Sequence, residues 1–108
     1  MYFMELLYYI ETTGRSPFAE WFDSLPENAA AKVAVGLKRM EQGNLASAKS
    51  VGEGVLEFRI HSGPGYRVYF GYEGRAMIIL VAGGTKRRQQ QDIAAAKRYW
   101  ADYKKRKS

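Results

Sequence analysis

Apolar and polar side chains alternate in the middle of the chain, and this alternation predicts an antiparallel hairpin. Phe58 and Ile60 alternate with polar neighbours, and Val68 and Phe70 do the same after a Gly63–Gly65 turn. A period of two residues is typical of half-buried strands. The turn contains two glycines and one proline, which suit the dihedral angles of a tight connection.

The register of the predicted hairpin follows from keeping its apolar side chains together. Pairing His61 with Arg67 across a loop of residues 62–66 places Phe58 opposite Phe70. A shift of one residue would turn one strand over and expose its apolar face. The chosen register puts four side chains together on the opposite, solvent-facing side of the sheet: Arg59, His61, Arg67 and Tyr69.

Apolar periodicity elsewhere predicts three helices and two further strands. Residues 44–54 have turn composition, whereas residues 76–82 lack polar alternation, which favours a central strand covered on both faces. The first strand is predicted from Tyr2 to Glu11, and the helix after it is capped by Ser16 with Pro17 at its first position. A second helix extends from Pro26-Glu27 to Gly43. The C-terminal helix begins at Gln89 and has one apolar stripe of Ile93, Ala96, Trp100 and Tyr103. The order β-α-α-β-β-β-α predicts a small α+β fold with a mostly antiparallel sheet, an N-terminal helical hairpin and a C-terminal helix.

Length and composition limit the classes of protein to consider. The 108 residues, 46% of them hydrophobic, predict one domain spanning residues 1–108. The chain has no cysteine and one histidine, which argues against disulfides, thiolate catalysis and a Cys- or His-rich metal site. No apolar run has the length of a signal peptide or a membrane span, so we expect a soluble cytoplasmic protein.

The positive charge is concentrated at the C-terminal end. Residues 86–108 contain nine basic and two acidic side chains, whereas the whole chain has a net charge of +6. Such an end favours a polyanionic partner, with nucleic acid ahead of membrane. A solvated tail that only aids solubility is the alternative for residues 104–108.

Four segments, taken in order, resemble the RelE/ParE toxin superfamily and specifically its phage-derived HigB-like branch. They are residues 55–60 (VLEFRI), 63–70 (GPGYRVYF), 80–86 (LVAGGTK) and 90–93 (QQDI) followed by Ala96. The resemblance covers nearly the whole chain. It implies a RelE-like fold and the toxin of a type II toxin–antitoxin pair, most often a ribosome-dependent mRNA endonuclease that needs no metal or cofactor.

The resemblance also implies a set of catalytic residues. Arg67 matches the sheet arginine that contacts the scissile phosphate, Arg59 matches a basic residue on the neighbouring strand, and Lys86 matches the basic segment before the C-terminal helix. Cations placed where negative charge develops make the largest contribution to such chemistry. An exposed charge cluster neutralised by Glu57 is the alternative interpretation of the two arginines.

The proton-transfer group stays open between His61 and Glu57. Imidazole exchanges protons near neutral pH, but His61 could also be a hairpin-end residue without chemistry. Glu57 stands where RelE proteins have a lysine, and it could instead be a salt-bridge partner of Arg59. The catalytic tyrosine of some RelE proteins is also missing, because Ile93 occupies the aligned position.

Further side chains are candidates for RNA binding. Tyr66 and Tyr69 could stack on a base of the mRNA, although Tyr66 could equally close the loop. The remaining candidates are Arg87, Arg88 and Gln89, of which the glutamine could simply lie in the first turn of the helix.

The resemblance implies protein and RNA partners: a cognate antitoxin, with a helix-turn-helix DNA-binding domain, and the ribosome with its mRNA. No membrane partner is expected. The alternative function is a non-enzymatic inhibitor of DNA gyrase like the ParE branch, against which the Arg59 and Arg67 pair argues. A decayed protein that only binds antitoxin is a third option.

Overall fold

The computed structural model describes residues 3–107, and it confirms the predicted α+β class. A five-stranded sheet in the order β1-β5-β4-β3-β2 has helices on both faces. The elements are β1 (Glu5–Tyr8), α1 (Pro17–Asp23), α2 (Glu27–Glu41), β2 (Lys49–Gly52), β3 (Val55–Ile60), β4 (Tyr66–Glu73), β5 (Met77–Thr85), a 3₁₀ turn (Lys86–Arg88) and α3 (Gln89–Lys107). Tyr2, the predicted start of the first strand, lies outside the described residues.

The sheet is antiparallel except where β1 runs parallel to β5. β5 lies between β1 and β4 and is covered on both faces, as its apolar sequence predicted, although β4 rather than β5 occupies the centre of the sheet. The N-terminal helices also follow the prediction. The Ser16 hydroxyl accepts a hydrogen bond from the Ala19 N–H at 3.2 Å, and Pro17 opens α1.

The assignment of residues 44–54 to a turn was wrong in part, because they contain the edge strand β2. Lys49 pairs with Glu57 and Ser50 with Leu56, and a bulge follows before Gly52. Both Lys49 and Ser50 are exposed, so the strand carries no apolar alternation to reveal it. Its pairing with β3 depends on backbone hydrogen bonds, which leave no pattern among the side chains.

The predicted hairpin register was wrong by two residues, although the two faces were assigned correctly. Arg59 lies opposite Arg67, and Phe58 lies opposite Val68 rather than Phe70. The loop covers residues 61–65 instead of 62–66, because Gly63 and Gly65 adopt left-handed conformations (φ 51° and 76°) and complete the turn before Tyr66. A two-residue shift keeps every side chain on its side of the sheet.

Two hydrophobic clusters pack on the two faces of the sheet. One cluster joins the α1/α2 pair to Phe58, Val68 and Phe70, and the other joins α3 to Tyr69 and Val55. The polar side of the hairpin, predicted to face solvent, is therefore the side that α3 covers. No helix among residues 3–107 is long and apolar enough to cross a membrane.

Glycines in the strands allow large aromatic side chains to approach the sheet closely. A Cβ atom built on Gly71 would lie 2.6 Å from the Trp100 ring of α3, and one on Gly83 would lie 2.1 Å from the Trp21 ring of α1. Such separations are shorter than any normal carbon–carbon contact, so both indoles need a glycine beneath them.

We expect Gly71→Ala to lower the free energy of unfolding by roughly 1–3 kcal/mol, because the added methyl group forces Trp100 away from β4. Urea unfolding followed by circular dichroism measures the change. In a Trp100→Phe background the same substitution should cost less, since the smaller ring leaves room. An equal cost in both backgrounds would contradict the proposed clash.

Candidate functional site: a buried carboxylate below a basic cavity

The carboxylate of Glu57 is the centre of the polar face between the sheet and α3. Glu57 is only 2% exposed. Its oxygens accept hydrogen bonds from Tyr69 Oη at 3.1 Å, Gln89 Nε2 at 2.8 Å and Arg59 Nε at 3.1 Å. The Nε atom of Arg67 lies 3.5 Å from Glu57 Oε2. We call these five residues the Glu57 cluster.

The surroundings of Glu57 keep its carboxylate ionised. Burial acts to raise the pKa of Glu57, but the hydrogen bonds and the charge of Arg67 outweigh burial and lower it. Burial and the neighbouring carboxylate raise the pKa of the Tyr69 hydroxyl. An ionised carboxylate with this many donors is a weak base. The geometry therefore favours Glu57 as an ion-pair partner of the arginines over Glu57 as the general base.

Two predictions of exposure in this region were wrong. The ring of Tyr69 is fully buried against α3, so it cannot stack on an RNA base. Arg67 is 5% exposed rather than on an open face. Gln89 lies in the first turn of α3, one of its two predicted positions, and its side-chain amide donates a hydrogen bond to Glu57. Both differences arise because α3 lies across this side of the sheet.

The two arginines nevertheless reach a small cavity where β3 ends and β4 begins. Its volume is about 170 Å³. The Gly65 carbonyl accepts hydrogen bonds from Arg67 Nη1 at 3.3 Å and from the Lys86 backbone N–H at 3.1 Å, which joins the hairpin loop to the 3₁₀ turn. The lining of this basic cavity is Arg59, Ile60, His61, Gly65, Tyr66, Arg67 and Lys86.

The structure places His61 and Tyr66 at the edge of the basic cavity. His61 is exposed at the start of the loop. Tyr66 is half-buried, and its ring centroid lies 6.5 Å from that of Trp21 on the opposite side of the sheet from Arg67. This position is compatible with contact with RNA and with closure of the loop.

A second concavity of about 290 Å³, lined by residues 86–91, adjoins the basic cavity. Lys86, Arg87 and Arg88 are exposed there, directly before the first turn of α3. The first turn of α3 is also the positive end of the helix dipole. Because like charges repel, the three cations stabilise the helix less than acidic residues would. An anion bound at this concavity would relieve that repulsion.

Asp92 and Gly84 belong to this region but were not singled out from the sequence. A Cβ atom on Gly84, which pairs with Arg67, would lie 1.9 Å from Asp92 Oδ2. Burial raises the pKa of Asp92, while the charge of Arg88 opposes the rise. Among residues 3–107, no hydrogen-bond partner reaches Asp92 Oδ2. The Gly83-Gly84 pair inside a strand was the available signal, because such glycines often mark close approach.

Within the described part of the chain, no group of three or more His, Cys, Asp or Glu side chains is arranged to hold a metal ion. The charged and titratable side chains that line the basic cavity are Arg59, His61, Arg67 and Lys86.

The α+β fold is compatible with a small RelE-like domain. Residues 20–101 match the family model described as Phage derived protein Gp49-like (DUF891). A protein of Haemophilus influenzae, described as an uncharacterized protein, is 41% identical over 81 residues, which cover 74% of this chain and 82% of the relative. The chain belongs to the Gp49-like family, a RelE-like and toxin-like family.

We expect Glu57→Gln to lower the free energy of unfolding at pH 7 by roughly 3 kcal/mol, because it leaves buried Arg67 without a counter-charge. The pKa of Glu57 is lowered by folding, so its stabilisation is present above its ordinary pKa of 4.5 and is lost as the pH falls through the folded-state value. The difference between the free energies of unfolding of wild type and Glu57→Gln should therefore narrow as the pH falls below 4.5.

The matched control for this prediction is Glu53→Gln. The Glu53 side chain is 71% exposed and lies 3.6 Å from Lys97, so its loss should change stability by less than about 0.5 kcal/mol. A pH-independent difference for Glu57→Gln would contradict the ionised, partnered state of Glu57.

Proposed function

We propose that this protein is the toxin of a type II toxin–antitoxin pair, of the HigB-like branch, and that it cleaves mRNA on the ribosome. The observation that supports this activity is the convergence of Arg59, His61, Arg67 and Lys86 on one small cavity. Glu57 forms ion pairs with two of these cations, Arg59 and Arg67, and does not itself line the cavity. Membership of a toxin-like family supports the toxin role and an antitoxin partner.

The reaction we propose is transesterification by the RNA itself. The 2′-hydroxyl oxygen attacks the adjacent phosphorus, the bond from phosphorus to the 5′-oxygen breaks, and the products carry a 2′,3′-cyclic phosphate and a 5′-hydroxyl. His61 accepts the proton of the 2′-hydroxyl, and solvent water donates one to the leaving 5′-oxygen. Arg67, Arg59 and Lys86 stabilise the negative charge that develops on the phosphoryl oxygens.

The surroundings of the basic cavity suit a longer RNA segment. Arg87 and Arg88 lie exposed beside it and would bind flanking phosphates, while Tyr66 at its edge would contact a base. The same cations would attract acidic side chains of a helix-turn-helix antitoxin, which would block the cavity in the cytoplasm until the antitoxin is removed.

Primer extension on an mRNA translated by purified ribosomes tests this function, with a reaction lacking ribosomes beside it. We expect wild-type protein to produce cuts only with ribosomes. Lys86→Ala and His61→Ala should each reduce the cleavage rate by roughly 100-fold, because each removes a group from the reacting centre. Both side chains are exposed, so circular dichroism should show unchanged folding.

Lys32→Ala is the matched control, because it removes one exposed cation from α2 on the opposite side of the sheet. It should cleave like wild type. Arg67→Ala should also abolish cleavage, but its burial makes a thermal unfolding curve necessary beside the assay. Uncut mRNA with folded protein would refute the endonuclease, and gyrase-dependent DNA breaks would then support the ParE-like alternative.

A further inference from the structure

Within residues 3–107, exposed apolar side chains are concentrated along the N-terminal edge of the sheet. Four large ones lie on or beside β1: Phe3, Leu7, Tyr8 and Ile10. A groove of about 660 Å³ adjoins them between β1 and α2. Single exposed apolar side chains are common on soluble proteins, whereas a contiguous group of them marks a contact surface.

The outer edge of β1 lacks the features that protect the other edge of the sheet. β2, at that other edge, exposes Lys49 and Ser50 and has a bulge before Gly52. A lysine and a bulge both hinder the addition of a further strand. β1 has neither, and its pairing with β5 is regular. The β1 edge is therefore open to strand pairing.

The backbone hydrogen bonds of β1 show which of its residues could pair with a further strand. The Glu5 N–H donates to the Ala76 carbonyl at 2.7 Å, and the Tyr9 N–H donates to the Leu80 carbonyl at 3.0 Å. Backbone groups of successive residues in a strand point to opposite sides. Those of Leu6 therefore face away from the sheet, and so do those of Tyr8.

Contacts within the protein limit this outward-facing stretch at both ends. The Met4 N–H donates to the Glu41 carbonyl at 2.7 Å, and the Ile10 carbonyl accepts a hydrogen bond from Arg106. The stretch between these two contacts has its midpoint at Leu7. Two copies of β1, antiparallel and centred on Leu7, would pair Leu6 of each copy with Tyr8 of the other and use the outward N–H and C=O groups of both residues.

The side chains also match in this register. Leu6 and Tyr8 lie on the side of the sheet that α1 and α2 cover, so they would face each other across the two copies. Leu7 lies on the opposite side and is 38% exposed, and the two Leu7 side chains would meet at the twofold axis. Apolar cross-strand pairs of this kind stabilise a sheet.

The charges at the groove favour a surface like itself over a strongly charged partner. The groove lining has one cation and one anion, Lys38 and Glu41, whose Nζ and Oε1 atoms are 3.9 Å apart. A surface without net charge gives no attraction to a polyanion or to a polycation. A second copy presents the same apolar and balanced surface.

We propose that β1 is a self-association edge, at which a second copy of this chain pairs antiparallel about a twofold axis at Leu7. The product is a continuous sheet of ten strands, five from each copy. A twofold interface uses the same patch on both copies, as the symmetric free stretch of β1 allows. No residue of β1 lines the basic cavity, so this inference stands apart from the proposed function.

Sedimentation velocity of the full chain at concentrations from about 1 to about 300 µM tests the association. Small interfaces bind weakly, so we expect a dimer with a dissociation constant on the order of 10 µM. Leu7→Lys places two like charges at the axis and should raise this constant at least about tenfold. The matched control is Val35→Lys, which adds the same charge at an exposed apolar residue outside the groove lining and should stay within about twofold of wild type.

Cysteine cross-linking tests the register independently of Leu7→Lys, because the chain has no cysteine of its own. In the proposed register the two residues 7 have Cα atoms about 4.5 Å apart, which a disulfide can span. Oxidation of Leu7→Cys with diamide should therefore give a covalent dimer. Glu5→Cys is the control on the same strand, since the two residues 5 would be separated by about 13 Å along the strands and should stay unlinked.

A monomer at every concentration would overturn the proposal, and so would equal cross-linking of the two cysteine variants. Dimerisation of folded Leu7→Lys as strong as that of wild type would overturn it as well, with circular dichroism reporting the folding. If the chain stays monomeric and Leu7→Lys instead weakens the binding of a purified antitoxin, the edge belongs to the antitoxin and the self-association proposal falls.

Discussion

The ion pairs of the buried Glu57 carboxylate are the interaction on which the rest of this structure depends. Arg59 and Arg67 lie opposite each other on neighbouring strands, where two like charges repel. The Glu57 carboxylate compensates both positive charges. Gln89, the first residue of α3, donates a hydrogen bond to the same carboxylate. Because a buried charge is tolerated only with its partners present, the position of α3 and the position of the arginines are coupled.

The cations of this protein fall into two groups with different physical roles. Those within the Glu57 cluster are held by a carboxylate and have little freedom, which suits side chains that must meet a developing charge at one place. Those of the 3₁₀ turn at residues 86–88 are exposed. Mobile surface cations serve to attract and orient a polyanion over a distance. The proposed cleavage of ribosome-bound mRNA would use both kinds of cation.

The hairpin shows which structural features the sequence predicts and which it does not. Alternation with period two assigned Phe58, Val68 and Phe70 to one side and Arg59 and Arg67 to the other, and the structure has the same sides. The register was missed by two residues because such a shift leaves the alternation unchanged, and only the turn geometry distinguishes the two pairings. β2 was missed because its exposed residues have no pattern, and backbone pairing alone holds it.

The sequence by itself determined the order of the helices and of the four strands β1, β3, β4 and β5, the side of the sheet that bears the arginines, and the concentration of positive charge after residue 85. The tertiary structure alone decided that α3 covers that side, which buries Tyr69 and Arg67 and makes Glu57 their shared partner. The physical reason is distance along the chain. Glu57 and Gln89 are 32 residues apart, so local periodicity contains no information about their contact.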